Sequence, residues 1–339
     1  MRRSALEFYR CPETSQPLRP LDATGDATEI RDASLESPGG RSYPVRTGIP
    51  DLTYPPTLPS SDLQTLGYYE REAGVYDKYL PLTFATFGVD EDQARNDMVD
   101  LLRLSPGSRV LELGCGTGRD TERIAARLGE EGQLFAQDLS PSMLHQAVDR
   151  LRGSKVQTEF SIGNACWLPF QDNCFDAVFH FGGLNTFGDI RRAFSEIARV
   201  TRPGGRVVIG DESMPLWLRS TEFGRVLMNS NPHYRFEIPF QDLPIEARNV
   251  RLQWIIGGVF YLFDFDVQEG EPTANLDFEI PGARGGTHRT RYYGLLEGVD
   301  LDAKSLAEEA RRKSGRSMHD WLTDAVRRAA NAELDDQQR

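Results

Sequence analysis

The chain has 339 residues, more than the ~150 of one typical domain, and 39% hydrophobic content, ordinary for a folded chain with a sizeable core. Its formal net charge of −12 disfavours nucleic acid, whose phosphate backbone the protein's field repels, and leaves a small-molecule substrate as the simpler expectation. Polar residues interrupt the start after Met1-Arg2-Arg3, and no stretch approaches the roughly 20 apolar residues of a spanning helix, so no signal peptide, no membrane span and a cytoplasmic location are expected.

Residues 1–60 are rich in Pro, Gly, Ser and Thr with short apolar pieces at 6–9 and 41–45, which predicts a small β-rich appendage. From 61 to 104 the pattern turns helical, with Leu63, Leu66, Tyr69, Ala73 and Tyr76 at spacings of three and four. The four cysteines, Cys11, Cys115, Cys166 and Cys174, form no Cys-x-x-Cys pair and read as reduced thiols, with no metal expected.

The core at 105–212 opens with VLELGCGTGRD at 110–120, an apolar strand, an acid and three alternate glycines that must turn into a helix. A dinucleotide fingerprint runs G-x-G-x-x-G, whereas this loop runs Gly114-x-Gly116-x-Gly118. Glu112, at the carboxyl end of the strand, would repel a pyrophosphate but attract an ammonium group. That combination suits S-adenosylmethionine, which has an amino-acid end and no phosphate. The next strand, 133–138, ends in Asp138, placed to accept hydrogen bonds from both ribose hydroxyls. Ser140 and Pro141 then read as the N-cap and first position of a helix. The strand at 176–180 runs into Phe181–Phe187, a loop at the carboxyl edge of the sheet, where open α/β sheets bind their ligands. Within it His180 is the candidate base, or else simply orients the loop through hydrogen bonds. Asn185 is a candidate substrate contact.

Five blocks in this order, VLELGCGTG at 110–118, QDLSPSML at 137–144, GNACWLPF at 163–170, NCFDAV at 173–178 and RPGGRVVI at 202–209, resemble the class I S-adenosylmethionine-dependent methyltransferases, in particular the branch that includes the ubiquinone and menaquinone C-methyltransferases. The resemblance implies an α/β fold: a Rossmann-like seven-stranded, mostly parallel sheet with its last strand antiparallel and helices on both faces. It implies S-adenosyl-L-methionine as cofactor, with Glu112 and the backbone around Gly114, Cys115, Gly116 and Gly118 at the methionyl end and Asp138 at the ribose. Leu139 and Met143 would pack on the adenine. Asn164 stands where the family usually has Asp, and its amide oxygen can still accept from the adenine amino group, with the Ala165 amide donating to the ring. His180 and Phe181 would border the sulfonium. In the family a tyrosine-rich helix covers the cofactor, a role that falls here to Tyr68 and Tyr76, where a tyrosine face gains roughly 0.5–2 kcal/mol from a cation. The segments at 8–18 and 43–52 resemble the zinc-ribbon-like module that precedes or activates some methyltransferases, but of its four cysteines only Cys11 is present, so a packing appendage held by apolar contacts is expected.

The insertion at 213–248 is rich in large apolar groups and predicts a substrate lid with a helix over about 215–229. Trp217, Met228 and Tyr234 are its candidate substrate contacts, and His233 a second candidate catalytic group; such a lining favours an aromatic or otherwise apolar small molecule. Over 249–299, two β-rich runs flank Gly257-Gly258, a hairpin that closes the sheet, followed by a basic loop at 281–291 in which Arg289 could recruit an anionic substrate group. Residues 300–339 read as two helices, 302–314 and 318–334, with Gly315 as the stop and Ser317-x-x-Asp320 as a capping box. The second carries an apolar stripe, Trp321, Leu322, Ala325, Val326 and Ala329, suited to homodimerisation or to docking on the catalytic domain. With the preceding 287–293 segment, this tail faintly resembles the ribbon-helix-helix fold of dimeric DNA-binding proteins, though strand residues are few and the acidic chain argues against DNA. Three functions remain open from sequence: methylation of a small molecule in quinone-like or secondary metabolism, RNA base methylation, and a methyltransferase fold that binds cofactor but catalyses a non-methylating reaction.

Overall fold

A computed structural model describes residues 1–281, 285–293 and 299–336. Cα packing divides the chain into two compact units, Met1–Glu271 and Pro272–Arg339.

In the first unit a four-stranded antiparallel sheet comes first: β1 (Arg19–Leu21), β2 (Ala33–Glu36), β3 (Ser42–Arg46) and β4 (Ile49–Pro50), paired in chain order. Three helices follow, α1 (Ser60–Tyr79), α2 (Pro81–Thr86) and α3 (Glu91–Asp100). The main layer alternates strand and helix: β5 (Arg109–Leu113), α4 (Arg119–Arg127), β6 (Gln133–Asp138), α5 (Pro141–Arg150), β7 (Gln157–Ile162), β8 (Phe175–Phe181), α6 (Ile190–Val200) and β9 (Thr201–Glu212). After α7 (Glu222–Ser230), the hairpin β10 (Ala247–Ile255) and β11 (Phe260–Val267) completes a seven-stranded sheet of order β10-β11-β9-β8-β5-β6-β7. Strands β5 to β9 pair in parallel, while β11 runs antiparallel to both β9 and β10. This is the Rossmann-like sheet with an antiparallel last strand that the sequence blocks imply.

The parallel strands are apolar on both sides because helices or loops cover both faces. Alternate residues therefore divide: Leu111, Phe135, Val178 and Ile209 face one core, and Val110, Leu134, Phe179 and Val208 the other. The first face is shared by α6, through Phe194 and Ile197, and by the N-terminal sheet, through Leu35, Val45 and Leu52. Phe8 and Tyr9 stack edge-on against Phe135 with ring centres 5.7 and 6.0 Å away, and the Leu52 N–H donates to the Ile162 carbonyl of β7 at 2.8 Å. The N-terminal sheet thus shares a core with the main sheet. Cys11, the lone cysteine of this module, lies buried with its Sγ 3.3 Å from the Tyr43 hydroxyl.

The lid helix starts later than its apolar content suggests. Leu216 to Leu218 form a short 3-10 turn, and α7 begins only after Thr221, whose hydroxyl caps it by accepting from the Gly224 N–H at 3.0 Å. Local capping chemistry outranks the apolar pattern there.

In the second unit the last part of the basic loop is helical: α8 (His288–Tyr293) replaces the extended segment that a ribbon-helix-helix would need. Residues 282–284 of that loop lie outside the described residues. The pair α9 (Leu301–Ser314) and α10 (Met318–Asp336) follows, with Gly315 at φ 67° ending α9. Ser317 accepts from the Asp320 N–H at 3.1 Å, but its hydroxyl donates to the Asp320 carboxylate at 2.8 Å, so the box closes side chain to side chain. Among the described residues no helix is long and apolar enough to cross a membrane.

Candidate functional site

A cavity opens at the carboxyl ends of β5, β6 and β8, the edge where open α/β sheets bind ligands. Its floor is the glycine loop. Gly114 stands at φ 59°, where a Cβ would come within 3.1 Å of the His180 ring, and Gly118 at φ 84°, where a Cβ would meet the Ala147 Cα at 2.9 Å. Only glycine fits both the backbone conformation and the space. Gly116, Cys115 and Thr117 complete that side.

Asp138 ends β6 facing the cavity. Its Oδ2 accepts from the Gly116 N–H at 2.7 Å and its Oδ1 from the Ser140 N–H at 2.8 Å, so the carboxylate also ties the loop to the start of α5. Burial pushes its pKa up to about 6 against those bonds. Leu139, Met143 and Ala165 line the neighbouring wall. Asn164 lines it too, but its amide is already engaged: Nδ2 donates to Asp62 Oδ2 at 3.0 Å and Oδ1 accepts from the Cys166 N–H at 2.9 Å. Asp62, from the first turn of α1, is a buried carboxyl on this wall whose pKa is raised by burial. Sequence reasoning missed it because its partner lies 102 positions away.

His180 is fully buried at the end of β8. Nδ1 lies 2.7 Å from the Leu113 carbonyl, an acceptor only, so Nδ1 carries the proton; Nε2 finds no partner among the described residues. Burial lowers the pKa, so the ring is a neutral imidazole with an acceptor nitrogen on the cavity wall. Phe181 lines the same wall. Glu112 does not line the cavity: it is buried, with a pKa raised well above the usual carboxylate range by burial and then by Asp120.

Helix α1 forms the roof. Residues 62, 69, 73 and 76 share one face at helical spacing, and Tyr69 and Tyr76 both reach the cavity with ring centres 6.0 Å apart. Tyr68, one position off that face, is 52% exposed and packs edge-on against Tyr69 from outside, so Tyr69 takes the place the sequence assigned to Tyr68. Two carboxylates fasten the roof. Asp77 accepts from Thr117 Oγ1 at 2.7 Å and Arg119 Nε at 3.1 Å and pairs with Arg150, while Glu70 accepts from the hydroxyls of Ser140 at 2.5 Å and Ser142 at 2.6 Å. The glycine loop, the start of α5 and the roof are thereby joined.

A second chamber of about 530 Å³ shares Tyr69, Tyr76, Arg95, Phe181, Gly182 and Gly183 with the first and continues towards Phe84, Phe260, Glu212 and His233. Met228 and Tyr234 sit behind this chamber in the cluster containing Phe84 and Phe260, supporting its wall without lining it. The remaining sequence candidates lie elsewhere. Asn185 is buried and spent on structure: its N–H donates to Asp211 at 2.6 Å, its Nδ2 to the Glu212 carbonyl at 2.7 Å, and its Oδ1 accepts from the Tyr261 hydroxyl at 3.2 Å. Trp217 is 66% exposed and packs on Trp254 with ring centres 5.8 Å apart. Arg289, in the second unit, pairs with Asp277 at 3.2 Å.

The lining fits S-adenosylmethionine: a carboxylate with lone pairs left for ribose hydroxyls at Asp138, and apolar faces with an amide–carboxyl pair for adenine at Leu139, Met143, Asn164 and Asp62. Comparison with known proteins agrees. Residues 110–205 match the methyltransferase domain family. The chain is 35% identical over 135 residues to the demethylmenaquinone methyltransferase of Desulfitobacterium hafniense, covering 39% of this chain and 53% of that protein. To that of Bacillus mycoides it is 34% identical over 122 residues, 36% of this chain and 52% of the relative. The chain thus spans about half the length of the curated relatives it matches. Among solved structures, phosphoethanolamine N-methyltransferase 2 of Haemonchus contortus in complex with S-adenosyl-L-methionine aligns at 15% identity and TM-score 0.46 over 65% of this chain and 62% of that one. An S-adenosylmethionine-dependent methyltransferase of Aquifex aeolicus gives 20% identity and TM-score 0.38 over 52% and 94%.

Proposed function

We propose that this chain, whose residues 110–205 belong to the methyltransferase domain family of class I S-adenosylmethionine-dependent enzymes, transfers methyl groups to a small aromatic or apolar molecule. The observation that carries this reading is the junction of the two chambers at Tyr69, Tyr76, Phe181, Gly182 and Gly183: a cofactor cavity that opens into a pocket walled by aromatic rings. The cofactor supplies a sulfonium methyl with a good leaving group, so the chain's work is to align the acceptor with that methyl and to exclude water.

Different residues divide that work. The glycine loop at 114–118 borders the methionyl end, Asp138 holds the ribose, and Leu139 and Met143 the adenine faces. Asp62 supplies, through its hydrogen bond to Asn164, the acceptor carboxylate for the adenine amino group that Asn164 lacks. Neutral His180 presents Nε2 near the transferred methyl, and α1, fastened by Glu70 and Asp77, closes the roof.

The test is a screen of small phenols, amines and carboxylic acids with labelled S-adenosylmethionine, scored by S-adenosylhomocysteine. Turnover with one of these classes is expected. Cofactor binding by calorimetry with no product from any of them would overturn the reading, and labelling of RNA instead would replace it.

The C-terminal helices complete the proposal as a homodimer surface. The apolar stripe of α10, Trp321, Leu322, Ala325, Val326 and Ala329, is the face proposed to meet a second copy. Sedimentation equilibrium is expected to give a dimer that Val326→Glu dissociates; a monomer at tens of micromolar would refute it.

A further inference from the structure

Glu212 is the residue to which the second chamber owes its chemistry. It ends β9, and its carboxyl group lines a pocket otherwise made largely of Tyr69, Tyr76, Phe84, Phe181 and Phe260. The neighbouring carboxylate, Asp211, accepts from the Asn185 N–H at 2.6 Å and from the Glu212 N–H at 2.8 Å, and its side chain is also hydrogen-bonded to the Glu212 carboxyl group. Arg95, the guanidinium on this wall, is committed to Glu91 at 2.8 Å and Asp120 at 2.6 Å. Glu212 is therefore a carboxyl group placed in an aromatic pocket, at the carboxyl edge of the sheet, with no guanidinium among the described residues left to neutralise it.

We propose that Glu212 is the proton acceptor for the methylated group and that the acceptor is a hydroxyl-bearing aromatic molecule. This rests on the methyltransferase reading above. An aromatic ring fits between the rings of the chamber, and its hydroxyl meets the carboxyl group those rings surround. The Glu212 carboxylate takes the hydroxyl proton. The electron pair released, on oxygen or on the ring carbon beside it, attacks the methyl carbon as the carbon–sulfur bond breaks and sulfur keeps that bond's pair, giving S-adenosylhomocysteine; after attack through carbon, that carbon's hydrogen moves as a proton to the ring oxygen and restores the aromatic hydroxyl. The proton leaves Glu212 for solvent, so one proton is released per methyl transferred. A formally acidic, apolar chamber disfavours acceptors that arrive as anions, and a hydroxyl arrives neutral.

Burial, reinforced by Asp211, raises the Glu212 pKa well above the usual carboxylate range, which moves the base towards the pKa of the hydroxyl it serves. The groups around it are Asp211 on its own strand, Tyr69 and Tyr76 on α1, Arg95 on α3, His233 and Tyr234 on the turn after α7, and Tyr261 on β11. The tyrosines keep their protons to high pH because burial raises their pKa values.

The experiment uses the full chain with phenol, catechol and naphthol as acceptors and aniline and methoxynaphthalene as controls, with wild type, E212Q, E212D and H233Q. Expected are turnover of the hydroxyarenes only, kcat rising with pH through one ionisation above the usual carboxylate range, and a fall of about 10²–10⁴-fold in E212Q with loss of that pH limb. E212D should restore part of the limb, and H233Q should leave it in place. Independently of turnover, naphthol binding to the cofactor-free protein, read by fluorescence, should weaken about tenfold or more in E212Q while methoxynaphthalene binding is unchanged. Cofactor binding by calorimetry should match wild type in every variant, which separates a failed base from a failed fold. Turnover of aniline but not of hydroxyarenes, or an E212Q enzyme with the wild-type rate and pH limb, overturns the proposal. Absence of product from every acceptor despite cofactor binding overturns the methyltransferase reading, and this inference with it.

Discussion

Asp138→Ala should weaken S-adenosylmethionine binding by about 10²–10⁴-fold, the loss of two hydrogen bonds to a charged group at about 1.5–3 kcal/mol each. Both carboxylate oxygens already hold backbone N–H groups, those of Gly116 and Ser140, and each oxygen has a further lone pair for a ribose hydroxyl. Removing the side chain therefore also frees the glycine loop from α5. The same residue sets a pH dependence. In the cofactor-free protein its pKa is pushed up to about 6 by burial, above the ~3.9 of an unfolded Asp. A raised folded value means that the group's contribution to stability is complete below about pH 4 and is lost as pH rises through about 6. Cofactor binding acts in the opposite sense, since ribose hydroxyls favour the carboxylate and pull its pKa down. Affinity should then be flat above about pH 6 and fall by up to about tenfold per pH unit just below it. Calorimetric titration of wild type and Asp138→Ala across that range checks both; an unchanged dissociation constant in the variant would remove Asp138 from the ribose site.

Tyr9→Ala should cost about 3–5 kcal/mol of unfolding free energy, as expected when a large buried aromatic side chain is cut back to Ala. Tyr9 is fully buried, with its ring 6.0 Å from that of Phe135 and 5.3 Å from that of Phe170, and both partners belong to the main sheet's core. Two backbone hydrogen bonds flank the contact: the Arg10 N–H donates to the Pro169 carbonyl at 2.8 Å and the Gln171 N–H to the Phe8 carbonyl at 2.9 Å. The N-terminal sheet is thus the cover for one face of β6 and β8. Removing residues 1–52 exposes Phe135, Phe170 and Phe175 together and should leave the remainder aggregated. Urea unfolding is the measurement, with a lower midpoint and an unchanged slope expected in Tyr9→Ala. An unchanged midpoint would show that the two sheets fold independently.

The parts of this protein that short runs of sequence can specify are the ones legible without a structure. The order of strands and helices from 105 to 212 follows from apolar runs, capping residues and turns, each decided within a few positions. The glycine loop is legible for the same reason: left-handed backbone at Gly114 and Gly118, with no room for a Cβ, demands glycine at those positions. Asp138 belongs with them, since the end of a strand beside that loop has one place to point.

What only the tertiary structure decided is which distant groups meet. Asp62 reaches Asn164 across 102 positions, and the roof contacts of Glu70 and Asp77 span 70 and 40. The choice of Tyr69 over Tyr68 depends on the rotation of α1 against the sheet, and periodicity gives the face of a helix without saying what it faces. Asn185 and Trp217 looked like pocket residues by type; a buried hydrogen-bond network claims the first, and the surface the second. Glu212 carries no local signal, being one acid at the end of an apolar strand. Its significance arises when helix α1, helix α3 and the turn after α7 close around it and take away the water that would otherwise make it an ordinary carboxylate.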